Sequence, residues 1–161
     1  RLNKLESVEM PDTVTKIGEH AFQKNNLTSI EIPDSVTEIG KFAFQLNELK
    51  SVKLSDGLTD ITTYAYAKND VNSVKIPDGV TKIGQGAFSE NYIKSVDIPD
   101  SVTEISLRAF QINNLTSVEL PDSLTKIGKF AFKDNNIKSV DIPDSVTEIG
   151  ESAFNFEIES N

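Results

Sequence analysis

Apolar and polar residues follow a pattern along the chain that returns every 22 residues. Stepping by that interval from Met10 reaches an apolar residue in every copy: Ile32, Leu54, Ile76, Ile98, Leu120 and Ile142. A fixed period of this length is typical of solenoids, in which each unit buries its apolar side against its neighbours. The pattern therefore predicts one solenoid of about seven coils.

Within one copy, the pattern predicts two extended pieces and a helical turn. Residues 28–32 alternate apolar and polar side chains, as a half-buried strand does. Residues 33–35, Pro-Asp-Ser, end that strand and form a turn. Residues 36–39 form a second extended piece, and residues 41–45 predict one helical turn that carries Phe44 into the core.

Stacked coils align equivalent residues in columns, and three columns are predicted to form the core. They are Val8, Ile30, Val52, Val74, Val96, Val118 and Val140; Ile17, Ile39, Ile61, Ile83, Ile105, Ile127 and Ile149; and Phe22, Phe44, Tyr66, Phe88, Phe110, Phe132 and Phe154. Each buried large side chain contributes about 1.5 to 3 kcal/mol, so a single coil does not offset its chain entropy but a stack does.

Two polar columns allow both a structural and a functional interpretation. Asn25 and its equivalents up to Asn135 form either a polar binding stripe or, as we favour, an internal ladder of amides that bond to the backbone of adjacent coils. Asp12 and its equivalents up to Asp144 resemble a calcium ladder. The glycine-rich repeat of calcium-loaded solenoids is absent from the sequence, so we favour turn formation for the Asp column.

Composition and charge exclude several classes of function. The net charge of -9 and the pI near 4.6 argue against nucleic acid as a partner, because binding to it requires a basic face. No apolar run is long enough for membrane insertion. His20, the single histidine, occupies a variable outward position that we interpret as solvated, and serine recurs in every coil. We therefore expect no enzyme, no catalytic residue, no metal and no cofactor.

The copy covering 55–66 and the two ends depart from the repeat. Ser55 replaces Pro, Thr62 replaces Gly and Tyr66 replaces Phe, which predicts a local irregularity. The chain begins midway through a repeat, so we interpret residues 1–161 as a single solenoid taken from a longer chain, with a divergent end at 155–161. Because the ends lack evident caps, self-association through them is expected.

The repeat Leu-x-x-Val-x-Ile-Pro-x-x-Val-x-x-Ile-Gly-x-x-Ala-Phe resembles the leucine-rich repeats of the bacterial surface-antigen, or BspA-like, type. The resemblance implies an α/β, right-handed parallel leucine-rich-repeat solenoid, rich in strands and with short helical turns. It also implies a strand face that binds protein, and a location outside the cell or at its surface. Members commonly carry Cys a few residues after Ala-Phe, whereas this chain has Asn.

Outward strand positions vary from coil to coil, as a partner-binding surface would. A basic pair, Lys53 and Lys75, lies between acidic neighbours, and the candidate partner-binding residues are Glu31, Lys50, Lys53, Lys75, Lys94 and Asp97. A secondary apolar patch comprises Phe42, Leu46 and Tyr64. The predicted function is adhesion or interaction with a protein or glycan ligand. The alternatives are a passive spacer and an engineered consensus scaffold without a ligand.

Overall fold

A computed structural model describes residues 4–154, which form a parallel solenoid with two strand positions in each coil. Three-residue strands occupy the first position: β2 (Ser29–Glu31), β4 (Ser51–Lys53), β6 (Ser73–Lys75) and β8 (Ser95–Asp97). Two-residue strands occupy the second: β1 (Lys16–Ile17), β3 (Glu38–Ile39), β5 (Asp60–Ile61), β7 (Lys82–Ile83), β9 (Glu104–Ile105), β10 (Lys126–Ile127) and β11 (Glu148–Ile149). The divergent end predicted for 155–161 lies outside the described residues.

Every strand pair is parallel, and its register is one coil. Ile30 of β2 faces Val52 of β4, and Ile83 of β7 faces Ile105 of β9. The predicted strands are therefore confirmed, and the second extended piece is the two-residue strand. A register of one coil places equivalent residues of successive coils directly against each other, as the column interpretation requires.

The predicted core columns lie inside the solenoid in its middle coils. The aromatic side chains stack along the axis with ring centroids 5.1 to 5.6 Å apart. Phe22 and Phe154, at the two ends of this stack, are only half-buried. The inward assignment is wrong for Ile149, which is 51% exposed, because no later coil of the described chain covers it.

The Asn column is an internal ladder, as the sequence predicts. Asn47 Oδ1 accepts from the N–H of Leu27 at 3.1 Å. Its Nδ2 donates to the carbonyl oxygens of Phe44 in its own coil and Phe22 in the preceding coil, at 3.0 and 2.8 Å. The same three bonds recur at Asn69, so each buried amide joins two coils.

The helical turn predicted over 41–45 is wrong. The chain instead turns through left-handed residues, with φ of 59° at Phe42 and 60° at Leu46, which a right-handed helix does not accommodate. The N–H of Phe42 donates to Thr63 O of the next coil at 3.0 Å, so this segment bonds between coils. Positive φ recurs at the equivalent positions: His20, Lys24, Tyr64, Lys68, Gly86, Glu90, Arg108, Ile112, Phe130, Asp134 and Ser152.

The ladder predicts a large and specific effect of Asn91→Ala. This change removes the acceptor for the N–H of Val71 and the donor to Tyr66 O and Phe88 O, all inside the solenoid. We expect a loss of about 3 to 5 kcal/mol in the free energy of unfolding, measured by urea denaturation. Asn72→Ala, at an exposed position next to Val71, is the control and should change stability little. Equal losses in the two variants would contradict the ladder.

Tyr66 carries a hydroxyl that the core leaves without a hydrogen-bond partner within residues 4–154. Burial raises the pKa of this phenol. We expect Tyr66→Phe to stabilise the protein by about 1 to 3 kcal/mol, because it removes an unsatisfied buried group. Tyr64→Phe is the matched control, since the Tyr64 hydroxyl lies 3.3 Å from Gln85 Nε2 near the surface. A lower melting temperature for Tyr66→Phe would show that the hydroxyl is satisfied.

Candidate functional site

The strand face carries two exposed rows of side chains beside the first strand position. One is a row of serines that includes Ser29, Ser51 and Ser73. The other, here called the first charge row, consists of Glu9, Glu31, Lys53, Lys75, Asp97, Glu119 and Asp141, all exposed. Lys50 and Lys94, whose orientation the sequence left open, are also exposed. The structure therefore brings all six candidate partner-binding residues to the surface.

The two central lysines differ in their surroundings. Lys53 Nζ lies 2.9 Å from Glu31 Oε1, and this hydrogen bond and the charge of Glu31 raise the pKa of Lys53. Lys75 faces Asp97 in register, but it forms no ion pair within the described part of the chain. Lys75 is therefore the lysine of this pair that is available to a ligand charge.

Hydrogen bonding on the strand face is interrupted between the two lysines. β2 pairs with β4 and β6 pairs with β8, but β4 and β6 are not hydrogen-bonded to each other. Residues 7–9, 117–119 and 139–141 lie at equivalent positions and do not join either sheet. The strand face therefore consists of two ribbons that meet between Lys53 and Lys75, where the N–H of Asn72 still donates to Lys50 O at 3.4 Å. The passage from one residue of a row to its equivalent in the next coil is here called a step.

The sheet of two-residue strands is also interrupted at the copy that departs from the repeat. β5 to β11 form one continuous sheet, whereas β1 and β3 form a separate pair. At this break Thr62 Oγ1 donates to Ile39 O at 2.9 Å, a carbonyl that a backbone N–H reaches in other coils. Ser55 Oγ donates to Val36 O at 2.6 Å. The sheet break lies at the copy predicted to be irregular, 55–66, and there the Thr62 hydroxyl takes the place of a backbone N–H.

The signs of the outward charges match the position of every interruption. The second charge row consists of Lys16, Glu38, Asp60, Lys82, Glu104, Lys126 and Glu148. Within this row, the one step between like charges is Glu38 to Asp60, and the sheet breaks there. In the first charge row, the bonded steps are Glu31 to Lys53 and Lys75 to Asp97, both of opposite sign. All other steps of the first row join like charges, and at these steps the backbones form no strand pair. Such steps are called open.

Attraction and repulsion between side chains directly across two strands act in the direction that this match requires. Opposite charges directly across two strands attract and like charges repel, by roughly 0.2 to 1 kcal/mol. A non-glycine residue at the Gly position does not by itself break the sheet. Ser106 occupies that position in its coil, yet its N–H donates to Ile83 O at 2.9 Å and β7 pairs with β9. The sign of the charges is therefore the feature that separates the two classes of step.

A cleft lies on the strand face at the open Lys53–Lys75 step. Both lysines, Leu54 and Gly79 line it, together with the rim carboxylate of Asp78. This cleft was not predicted from the sequence.

The secondary apolar patch exists, but its rings cover one another. Phe42 stacks between His20 and Tyr64, with centroid distances of 4.9 and 5.5 Å. Leu46 is 38% exposed. His20 is exposed as predicted, but it also contacts Gln23 Oε1 through Nδ1 at 2.9 Å. The patch therefore offers ring edges to a partner and no open apolar face.

Neither a metal cluster nor a membrane span is found in the described range. Residues 4–154 contain no group of three or more His, Cys, Asp or Glu side chains that could hold a metal ion. In the Asp column, Asp34 Oδ1 accepts from the N–H of Asp56, the equivalent residue of the next coil, at 3.4 Å. In the same range, no helix has the length and apolar character needed to cross a membrane.

The repeat matches the family model described as the BspA type leucine rich repeat region, over residues 1–114 and 83–160. The model recognises six copies, one fewer than the seven counted from the apolar positions. No curated protein sequence shows significant similarity to the chain.

Solved structures of bacterial proteins share the fold. A leucine rich cell surface protein from Faecalibacterium prausnitzii is 29% identical, with a TM-score of 0.56 over 94% of this chain and 48% of its own. A leucine-rich repeat protein from Eubacterium ventriosum is 23% identical, with a TM-score of 0.60 over 87% and 48%. The pneumococcal vaccine antigen PcpA is 22% identical, with a TM-score of 0.57 over 86% and 46%. The chain thus spans about half the length of these structures.

If the signs of facing charges decide whether two strands pair, here called the charge rule, Asp60→Lys should move the open step by one coil. The change makes the step from Glu38 opposite in sign and the step to Lys82 alike. The N–H of Gly84, which donates to Ile61 O at 2.7 Å, should then exchange with solvent faster. Amide hydrogen exchange measured by NMR checks this.

The N–H of Thr59 should become more protected in the same variant, because its equivalent in the next coil, the N–H of Thr81, donates to Thr59 O at 2.8 Å across a bonded step. Asp122→Lys, which changes an exposed acid outside both charge rows, is the control and should leave both amides unchanged. If Asp60→Lys leaves the exchange of Gly84 and Thr59 as in the wild type, charge does not set the break.

Proposed function

The chain belongs to the BspA type leucine-rich repeat family, and on that premise we propose that it is an interaction module of a bacterial surface protein. It binds a partner protein through the strand face, and it has no catalytic role. The 29% identical cell surface protein from Faecalibacterium prausnitzii supports the location, since it has the same fold over 94% of this chain.

The observation that carries the proposal is that the inward positions repeat from coil to coil within this chain, whereas the outward rows vary. Asn, Phe and Ile recur at the inward columns of successive coils, because the stacking described above fixes them. The first charge row changes from acidic to basic and back to acidic along the same coils. In a repeat protein, the outward positions that packing does not fix are free to be set by binding to a partner.

The strand face suits a protein partner because it is long, exposed and chemically varied. Serine hydroxyls both donate and accept hydrogen bonds, and they lie in a row beside charges of both signs. Glu31 and Asp97 flank the lysines at fixed register, so the sequence of charges is acid, base, base, acid. Such a pattern favours a partner with complementary charges at matching spacing and disfavours others.

The proposal predicts that charge changes on the two sides of the solenoid have different effects. Host surface and serum proteins are immobilised in turn, and association with the purified chain is followed by surface plasmon resonance. For a protein that binds the wild type, Lys53→Glu with Lys75→Glu should slow association at least tenfold and reduce its salt dependence.

Lys24→Glu with Lys41→Glu is the matched control. It reverses two exposed lysines on the turn side, which is the side formed by the residues of positive φ and their neighbours. It should leave association unchanged. If both double variants bind as the wild type does, the strand face is not the binding surface. If no immobilised protein binds the chain but a glycan does, the partner class is wrong, and binding to neither favours a spacer.

A further inference from the structure

The Lys53–Lys75 step is the open step at which an anion would neutralise the like charges. The other like-charge steps of both charge rows in the described chain join acids, namely Glu9 to Glu31, Glu38 to Asp60, Asp97 to Glu119 and Glu119 to Asp141. At the lysine step two ammonium groups project from adjacent coils on the same face. A negative group placed between them would change repulsion into attraction.

The open step also leaves a backbone donor without the bond that its equivalents make. The N–H of Ile32 donates to Lys53 O at 3.0 Å, and the N–H of Ile76 donates to Asp97 O at 3.3 Å. The corresponding bond from Leu54 to Lys75 O is missing from the described structure. Leu54 is largely buried but lines the cleft, so closing this step would give its N–H the bond that Ile32 and Ile76 make.

We propose that the cleft between Lys53 and Lys75 is a binding site for a carboxylate side chain from an acidic segment of a partner protein, and that binding closes the step. This inference rests on the strand face being the binding surface, and it adds the ligand chemistry and the structural response. The bound carboxylate lies between the two ammonium groups, and the N–H of Leu54 then bonds to Lys75 O.

The contacts of the two lysines define the ligand more closely. Lys75 has no acidic partner within residues 4–154 and supplies the main attraction. Lys53 already donates to Glu31, but an ammonium group has three donors and can hold a second carboxylate. Asp56 and Asp78 also line the cleft and repel an anion in proportion to its charge, so they oppose a dianion more strongly than a monoanion. A single carboxylate therefore fits better than a phosphate.

The charge rule makes Lys75→Glu a mimic of the closed state. This change gives the step from residue 53 to residue 75 opposite charges, as at the bonded Glu31–Lys53 step. It also gives the step from residue 75 to Asp97 like charges, so that bonded step should open. The variant should therefore be closed at Leu54 without a ligand and open at Ile76.

The experiment follows amide hydrogen exchange of Leu54 and Ile76 by NMR, with and without a hexaglutamate peptide as the probe. In the wild type the peptide should slow exchange at Leu54 by about two- to fivefold and leave Ile76 unchanged. In Lys75→Glu, Leu54 should exchange slowly without peptide, Ile76 should exchange faster than in the wild type, and the peptide should have no effect. Sodium sulfate at matched ionic strength should be less effective than the peptide.

Lys138→Glu is the matched control, because Lys138 is an exposed lysine in a distant coil, outside both charge rows and outside the candidate partner-binding residues. It should respond to the peptide as the wild type does. An unchanged Leu54 amide in the wild type with peptide overturns the proposal, as does an equal loss of response in Lys138→Glu. Equal protection by sulfate overturns the assignment to a carboxylate.

The two proposals fail in different ways. A partner that binds the strand face and is insensitive to Lys75→Glu overturns the carboxylate site and leaves the binding surface intact. A peptide that closes the step, in a chain whose partners bind only the turn side, overturns the proposed function and leaves the cleft chemistry intact.

Discussion

The buried asparagine amide is the interaction on which the rest of the solenoid depends. Asn69 accepts from the N–H of Leu49 and donates to Phe44 O and Tyr66 O, so one side chain satisfies backbone groups of two coils. Without it, these polar groups would be buried unpaired beside the aromatic stack, at a cost of about 1 to 3 kcal/mol each. The ladder therefore permits the chain to turn inside an apolar core, and it holds adjacent coils at the separation that the rings and strands require.

Charges on the surface decide a different matter, which is where the sheets are continuous. An isolated exposed ion pair contributes little to stability, and pairs such as Lys16–Glu38 and Lys126–Glu148 are largely exposed. Here the ladder and the core already hold the coils together, so a short strand pair is balanced between bonded and open. A few tenths of a kcal/mol then select one state. Surface composition thereby controls local backbone structure without altering the fold.

The sequence predicts the features that repeat and misses the ones that depend on backbone angles. Phe88 and Asn91 are placed correctly because burial and the need to satisfy a buried amide leave a strong pattern. The corner at Phe42 is mistaken for a helical turn because nothing in its side chain indicates a positive φ, which glycine usually signals. The break between Glu38 and Asp60 could have been found from the order of charge signs alone. The cleft beside Gly79 needs the coordinates, since no sequence pattern marks where the side chains of adjacent coils leave space between them.

The direction of the asparagine bonds has a consequence for how such a chain changes in length. Each coil is completed by the one that follows it, because Asn47 bonds the N–H of Leu27 and the carbonyl of Phe22 behind it. An insertion or deletion that is not a whole multiple of the period would pair a ladder position with a residue that cannot fill it. Duplication of whole coils preserves every bond. Genes that encode this architecture are therefore free to grow or shrink by recombination between repeats, and each such event moves the charge rows, and with them the open steps, as intact blocks.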